Sequence, residues 1–163
     1  MLLFFYTFAN MRNIDKFDKF RQNLHSLAQN FDKYRKEFIN SQEPYLIDLN
    51  TEKLWKNGED SKGITLGEYA PLTKQIKNAT GQGYGRITDH VTLYDTGSFY
   101  DKMLIKWNSD IQFNFDSTDS KNAKLKKVYG DDIHGIDVKE NEKDMRDELL
   151  EPFQKFIFNK LKL

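Results

Sequence analysis

The sequence predicts an α+β fold, with long N-terminal and C-terminal helices packed on a small antiparallel sheet centred on a β-hairpin. Three observations carry that prediction. Residues 103–108 and 111–116 alternate apolar and polar side chains on either side of a polar turn. Residues 13–39 carry an apolar stripe at alternating steps of three and four. Residues 139–163 carry a second amphipathic pattern, with Pro152 inside it.

The hairpin organises the rest. Met103, Ile105 and Trp107 fall on one side of the first strand, and Leu104, Lys106 and Asn108 on the other. Asn108, Ser109 and Asp110 supply turn chemistry. Ile111, Phe113 and Phe115 then alternate with Gln112, Asn114 and Asp116. Period-two alternation around a tight polar turn predicts two paired strands with one buried face. Ahead of them stands the apolar run Val91 to Tyr94, broken by Asp95, Thr96 and Gly97. Asp and Thr close turns with their side-chain oxygens and Gly accepts a positive φ, so these three residues read as a structural turn.

In chain order, residues 1–10 are an apolar arm, MLLFFYTFAN. No Lys or Arg precedes the apolar run, unlike a secretory leader, and it is far too short to span a bilayer. It reads as an upstream extension or a sticky arm covered by a neighbour. Phe17, Phe20, Leu24, Leu27, Phe31, Tyr34 and Phe38 then form one stripe. The spacing predicts a single helix from about Asn13 to Ile39, roughly 40 Å long. Such a stripe fits packing on the protein's own sheet or a coiled-coil seam. Ser41 to Pro44 interrupts it, and Tyr45 to Trp55 resumes a helical pattern.

Residues 57–89 read as a long flexible insertion, rich in glycine, with a short helix or extended arm over Tyr69 to Asn78. Asp119 to Gly130 predicts a short helix ended by Gly130. Asp131 to Asp137 is a turn, and Lys139 to Leu163 is the closing helix, kinked or restarted at Pro152.

Composition narrows the function. A chain of 163 residues is long enough for one core, here one domain over 11–163. Lys plus Arg number 25 and Asp plus Glu number 25, so no bulk basic excess marks a dedicated nucleic-acid binder. The absence of cysteine excludes disulfides, thiol catalysis and cysteine-ligated zinc. Aromatic residues make up 14%, which suits a core or subunit contacts.

No motif carries catalysis. Gly81, Gly83 and Gly85 lack the Gly-Lys-Ser/Thr ending of a phosphate loop and read as a flexible loop. Asp116, Thr118 and Ser120 begin like a calcium loop, but Lys121 and Lys127 stand where Gly and Glu are required. Capping by Ser117, Asp119 or Ser120 explains them. Asp131, Asp132 and His134 could bind a metal or move protons, yet match no ligand motif and read as a solvated turn. No nucleophile elbow is present. The sequence therefore assigns no catalytic, metal-binding or cofactor-binding residue, and no cofactor.

Pro71-Leu72-Thr73, the lysines Lys74 and Lys77, the element Leu93-Tyr94-Asp95-Thr96-Gly97 and the hairpin behind it stand in a recognisable order. That order resembles the virion-morphogenesis, tail-completion and neck proteins of tailed bacteriophages. The longer string from Gly67-Glu68-Tyr69 to Tyr129-Gly130-Asp131-Asp132-Ile133 is similar to phage and prophage proteins of Bacteroidetes-type hosts. The resemblance covers about residues 11–140, and the closing helix is longer than in that family. It implies a non-enzymatic structural virion protein, one subunit of an oligomeric ring at the head–tail connector, neck or tail-completion site. Its partners would be copies of itself and neighbouring virion proteins such as portal, adaptor or tail tube. The resemblance further implies no membrane, only incidental nucleic acid, and assembly in the bacterial host cytoplasm. Aromatic anchors dominate interface energetics, which nominates Phe4, Phe5, Phe8, Tyr69, Leu72 and Tyr84 as interface residues. The rival readings are a protein-binding adaptor and, third, a small hydrolase.

Overall fold

The computed structural model describes residues 2–79 and 87–161, with side chains for 14–79, 87–137, 139 and 141–161. The fold is α+β: seven α-helices among the described residues and one two-stranded antiparallel sheet. The chain divides into two compact units, Asn40–Lys143 and the pair of segments Met1–Ile39 and Asp144–Leu163.

The second of these units is helical. Helix α1 spans Leu2–Gln29 and α2 spans Phe31–Ser41. The single helix expected from Asn13 to Ile39 is therefore longer at its start and interrupted at Asn30. There the Asn30 side chain donates to the Ser26 carbonyl at 2.8 Å. The Ser26 carbonyl also accepts the Asn30 backbone N–H at 3.1 Å, and Tyr34 donates to the Asn30 carbonyl at 3.0 Å, so the break is confined to one residue. Helix α7, Val138–Leu161, supplies the partner surface. Phe38 is buried, and its ring centre lies 5.0 Å from that of Phe153 and 5.7 Å from that of Phe156. Asn23 donates to the Leu161 carbonyl at 2.8 Å, and Lys160 reaches Glu37 at the same distance. The apolar stripe is thus covered by α7 at Phe38, while Phe17 remains 68% exposed. Pro152 lies inside α7, and the helix continues through it.

The larger unit holds the hairpin. Strands β1 (Met103–Trp107) and β2 (Phe113–Ser117) pair with Ile105 opposite Phe115 and Trp107 opposite Phe113. One face carries Met103, Ile105, Phe113 and Phe115, in the register that the alternation predicts. Ile111 lies before β2 and is exposed rather than part of the buried face. The helix packed against β1 is α3, Glu43–Lys56. Pro44 in its first turn suits a position where the missing N–H costs nothing. Glu43 accepts the Ile105 N–H at 2.7 Å, which ties the outer edge of β1 to α3. Within this unit the sheet packs on α3, which lies well before β1 in the chain.

The core of the unit gathers Leu54, Val91, Leu93, Phe99, Met103 and Ile133. Asn50 is buried in it and bonds both the Ile133 carbonyl and the Gly135 N–H, fixing the turn after helix α6 to α3. The stretch read as a flexible insertion contains built structure up to residue 79. Asp60 accepts the Lys62 and Ile64 amides at 2.8 and 2.9 Å, Glu59 pairs with Thr65, and Pro71–Ala79 forms helix α4. A four-residue helix α5 (Ser98–Asp101) precedes β1, and α6 (Asn122–Tyr129) follows β2, ending at Gly130 with φ +90°.

Candidate functional site

Three segments converge on a cleft of about 480 Å³ in the larger unit. Helix α4 gives one wall through Thr73, Ile76 and Lys77. The run from Val91 to Phe99 gives the floor and one end. Helix α6 gives the opposite wall through Lys124, Leu125 and Tyr129, with Lys121 just before it. Pro71-Leu72-Thr73 and Leu93-Tyr94-Asp95-Thr96-Gly97, read separately in the sequence, thus border one concavity.

The floor is locked by Thr92, which is 1% exposed. Its N–H donates to the Tyr69 hydroxyl at 3.0 Å, its own hydroxyl also contacts that oxygen at 3.0 Å, and its carbonyl accepts from Tyr100. Burial pushes the Tyr100 hydroxyl far up, so it remains a donor across the ordinary range. Beyond this anchor Leu93 takes φ +57°, a left-handed conformation that costs a non-glycine residue about 1–2 kcal/mol. The bonds on either side hold it there. The result turns the chain so that Tyr94 faces the cleft wall and packs edge-on against Tyr100 and Trp55.

The Asp95–Gly97 turn is fixed from both sides. Lys77 donates to the Tyr94 carbonyl at 2.9 Å and lies 4.5 Å from the centre of the Tyr69 ring. Lys121 pairs with Asp95 at 2.7 Å. Gly97 has φ +86°, and a Cβ there would meet the Tyr94 hydroxyl at 2.9 Å. Ser98 donates to the buried Asp119 carboxylate at 2.6 Å, and the Lys121 N–H adds a second bond. These donors, Ser98 first, hold that carboxyl below the usual carboxylate range.

The sequence-nominated residues divide. Tyr69 is a half-buried wall whose hydroxyl is spent on Thr92, so it presents its ring rather than its polar tip. Leu72 is 67% exposed on α4. Asp95 and Thr96 line the cleft. Phe4, Phe5 and Phe8 lie in α1, but their side chains are outside the described residues, as are Tyr84 and the glycines at 81, 83 and 85. The α6 wall was missed. Its signal was available, because Lys121, Lys124, Leu125 and Val128 recur at helical spacing, on one face of a short helix.

The other polar candidates are separately bonded. Asp116 accepts from the Ser117 amide and from Asn122. Asp131 pairs with Lys126 and Asp132 with Lys62. His134 is not solvated as expected. It packs on Phe99, and its Nε2 meets the Asn122 side-chain amide oxygen at 2.8 Å. Among the described residues no group of three His, Asp or Glu side chains is placed to hold a metal ion, and no helix is long and apolar enough to cross a membrane.

No protein-family model, curated protein or solved structure matches the chain. What the cleft itself offers is recognition. An apolar floor, two tyrosine walls and three lysines at the rim suit an elongated partner with apolar and anionic groups.

Proposed function

We propose that this chain is a structural virion protein, one subunit of an oligomeric ring at the head–tail connector, neck or tail-completion site of a tailed phage. The observation that supports this best is the meeting of the Pro-Leu-Thr and Asp-Thr-Gly elements around one cleft. Both belong to the order of parts that resembles the phage family, and both now serve a single surface. Leu72 and Val128, 67% and 61% exposed, lie on the two helices that wall it. Apolar side chains left open beside a preformed groove suit a protein contact.

A ring subunit needs a contact whose two halves differ, so that copies join head to tail and close. Light scattering and native mass measurement on the purified protein test this. Discrete closed oligomers favour the ring. A monomer at every concentration favours an adaptor that binds another protein. A second open cleft, of about 430 Å³ and lined by Asp48, Glu52, Trp55, Tyr94 and Tyr100, is the observation that keeps the adaptor reading in play.

A further inference from the structure

Two regions of this chain carry opposite charge that its own fold leaves unmatched. The first is the α4–α6 cleft, whose lining holds three lysines, Lys77, Lys121 and Lys124, against one carboxylate, Asp95. Lys124 is exposed, and neither it nor the neighbouring Lys127 has an ion-pair partner among the described residues. The second is the early part of α7. Residues 142–151 hold five carboxylates against two cations. Glu142, Asp144, Asp147 and Glu148 are exposed and have no ion-pair partner among the described residues. No residue of that stretch is fully buried, including Met145 and Leu149, and Leu150 is 45% exposed.

We propose that the cleft receives residues 142–151 of a second copy of this chain, an inference that rests on the reading above that copies associate. The match has two parts. A helical segment of ten residues is about 15 Å long and offers leucines at 149 and 150 beside carboxylates at 147 and 148. The cleft offers an apolar floor beneath a lysine rim. Leucines seated on Leu125 and Tyr129 would bring a carboxylate to Lys124, beside the Lys121–Asp95 pair. The choice of a second copy over an unrelated acidic protein follows from charge. The whole chain is neutral, with 25 cations and 25 carboxylates, yet the cleft holds an excess of lysine and residues 142–151 an excess of carboxylate. Copies neutralise one another when the acidic segment of one meets the basic cleft of the next. The two surfaces are different, so the contact is heterologous and passes from copy to copy.

A charge-swap experiment on the full chain tests this. Sedimentation velocity at low salt should show self-association of the natural protein that weakens about tenfold or more near 0.5 M salt. Lys124→Glu, and separately Asp147→Lys with Glu148→Lys, should each yield monomers with unchanged circular dichroism. An equimolar mixture of the two variants should associate again, because each reversed surface finds its reversed partner. As an independent probe, a synthetic peptide of residues 142–151 should bind the full-length chain saturably and lose affinity with the Lys124→Glu variant. Association unaffected by either reversal, a mixture that stays monomeric, or a peptide that binds no better than its scrambled form overturns the proposal. Peptide failure together with capture of an unrelated acidic protein by the cleft does the same. A chain present in virions while the swap fails would end this contact and leave the virion reading. A restored swap in a chain absent from virions would do the reverse.

Discussion

Lys77 in α4 donates its ammonium to the backbone carbonyl of Tyr94 at 2.9 Å, so one side chain joins the helix that opens with Pro-Leu-Thr to the turn that contains Asp-Thr-Gly. Lys77 and Tyr94 are 17 residues apart in sequence. Helix α4 has no fully buried residue, so it owes its seat to few contacts of this kind.

Replacing Lys77 by Met keeps the stem and removes the bond. A partly buried charged hydrogen bond predicts a loss of about 1–2 kcal/mol in urea unfolding. Lys74 pairs with Glu68 at the surface, and Lys74→Met should stay within about 0.5 kcal/mol. Equal costs would mean that the Tyr94 carbonyl is not what seats α4.

Gly97 should resist any side chain. Ala at φ +86° costs about 1–2 kcal/mol through the backbone alone. The added Cβ also meets the Tyr94 hydroxyl at 2.9 Å. A double-mutant cycle separates the two. In a Tyr94→Phe background, Gly97→Ala should cost less than in the natural chain, because the nearest atom is gone while the φ penalty stays. A cycle with no coupling would remove the steric half of the account.

His134 makes stability depend on pH. Burial, helped by the nearby Lys126, lowers its pKa below the ordinary value, and its buried Nδ1 has no hydrogen-bond partner among the described residues. Protonation would place a charged donor there with nothing to receive it. The folded state binds fewer protons than the unfolded one between the lowered pKa and about 6.5, the ordinary histidine value. This contribution is fully present above about pH 6.5 and is lost as pH falls through that window. His134→Gln should flatten the pH dependence of unfolding there. A variant with the same slope as the natural chain would rule His134 out as the source.

The hairpin was legible because its information is local. Alternation around Asn108–Asp110 sets register without help from the rest of the chain. The break at Asn30 was not legible, because the apolar stripe runs straight through it and the backbone bonds from Asn30 to Ser26 and from Tyr34 to Asn30 persist across it. Nor was the partner of the stripe, since Phe38 meets Phe153 across more than a hundred residues and periodicity names no partner. The cleft was half legible. Its Pro-Leu-Thr and Asp-Thr-Gly edges stood out as turn and helix-start chemistry. The α6 wall looked like an ordinary short amphipathic helix, and Tyr69 looked like a free anchor because its bond to Thr92 depends on tertiary placement.

The most direct test of the virion reading is to purify phage particles from cells that make this chain, identify their proteins by mass spectrometry and image the head–tail junction. The account predicts the chain in mature particles at a fixed copy number, as a ring of density at the connector, neck or tail-completion site. Its absence from virions, with a purified protein that stays monomeric at high concentration, would contradict the account and leave the adaptor reading in its place.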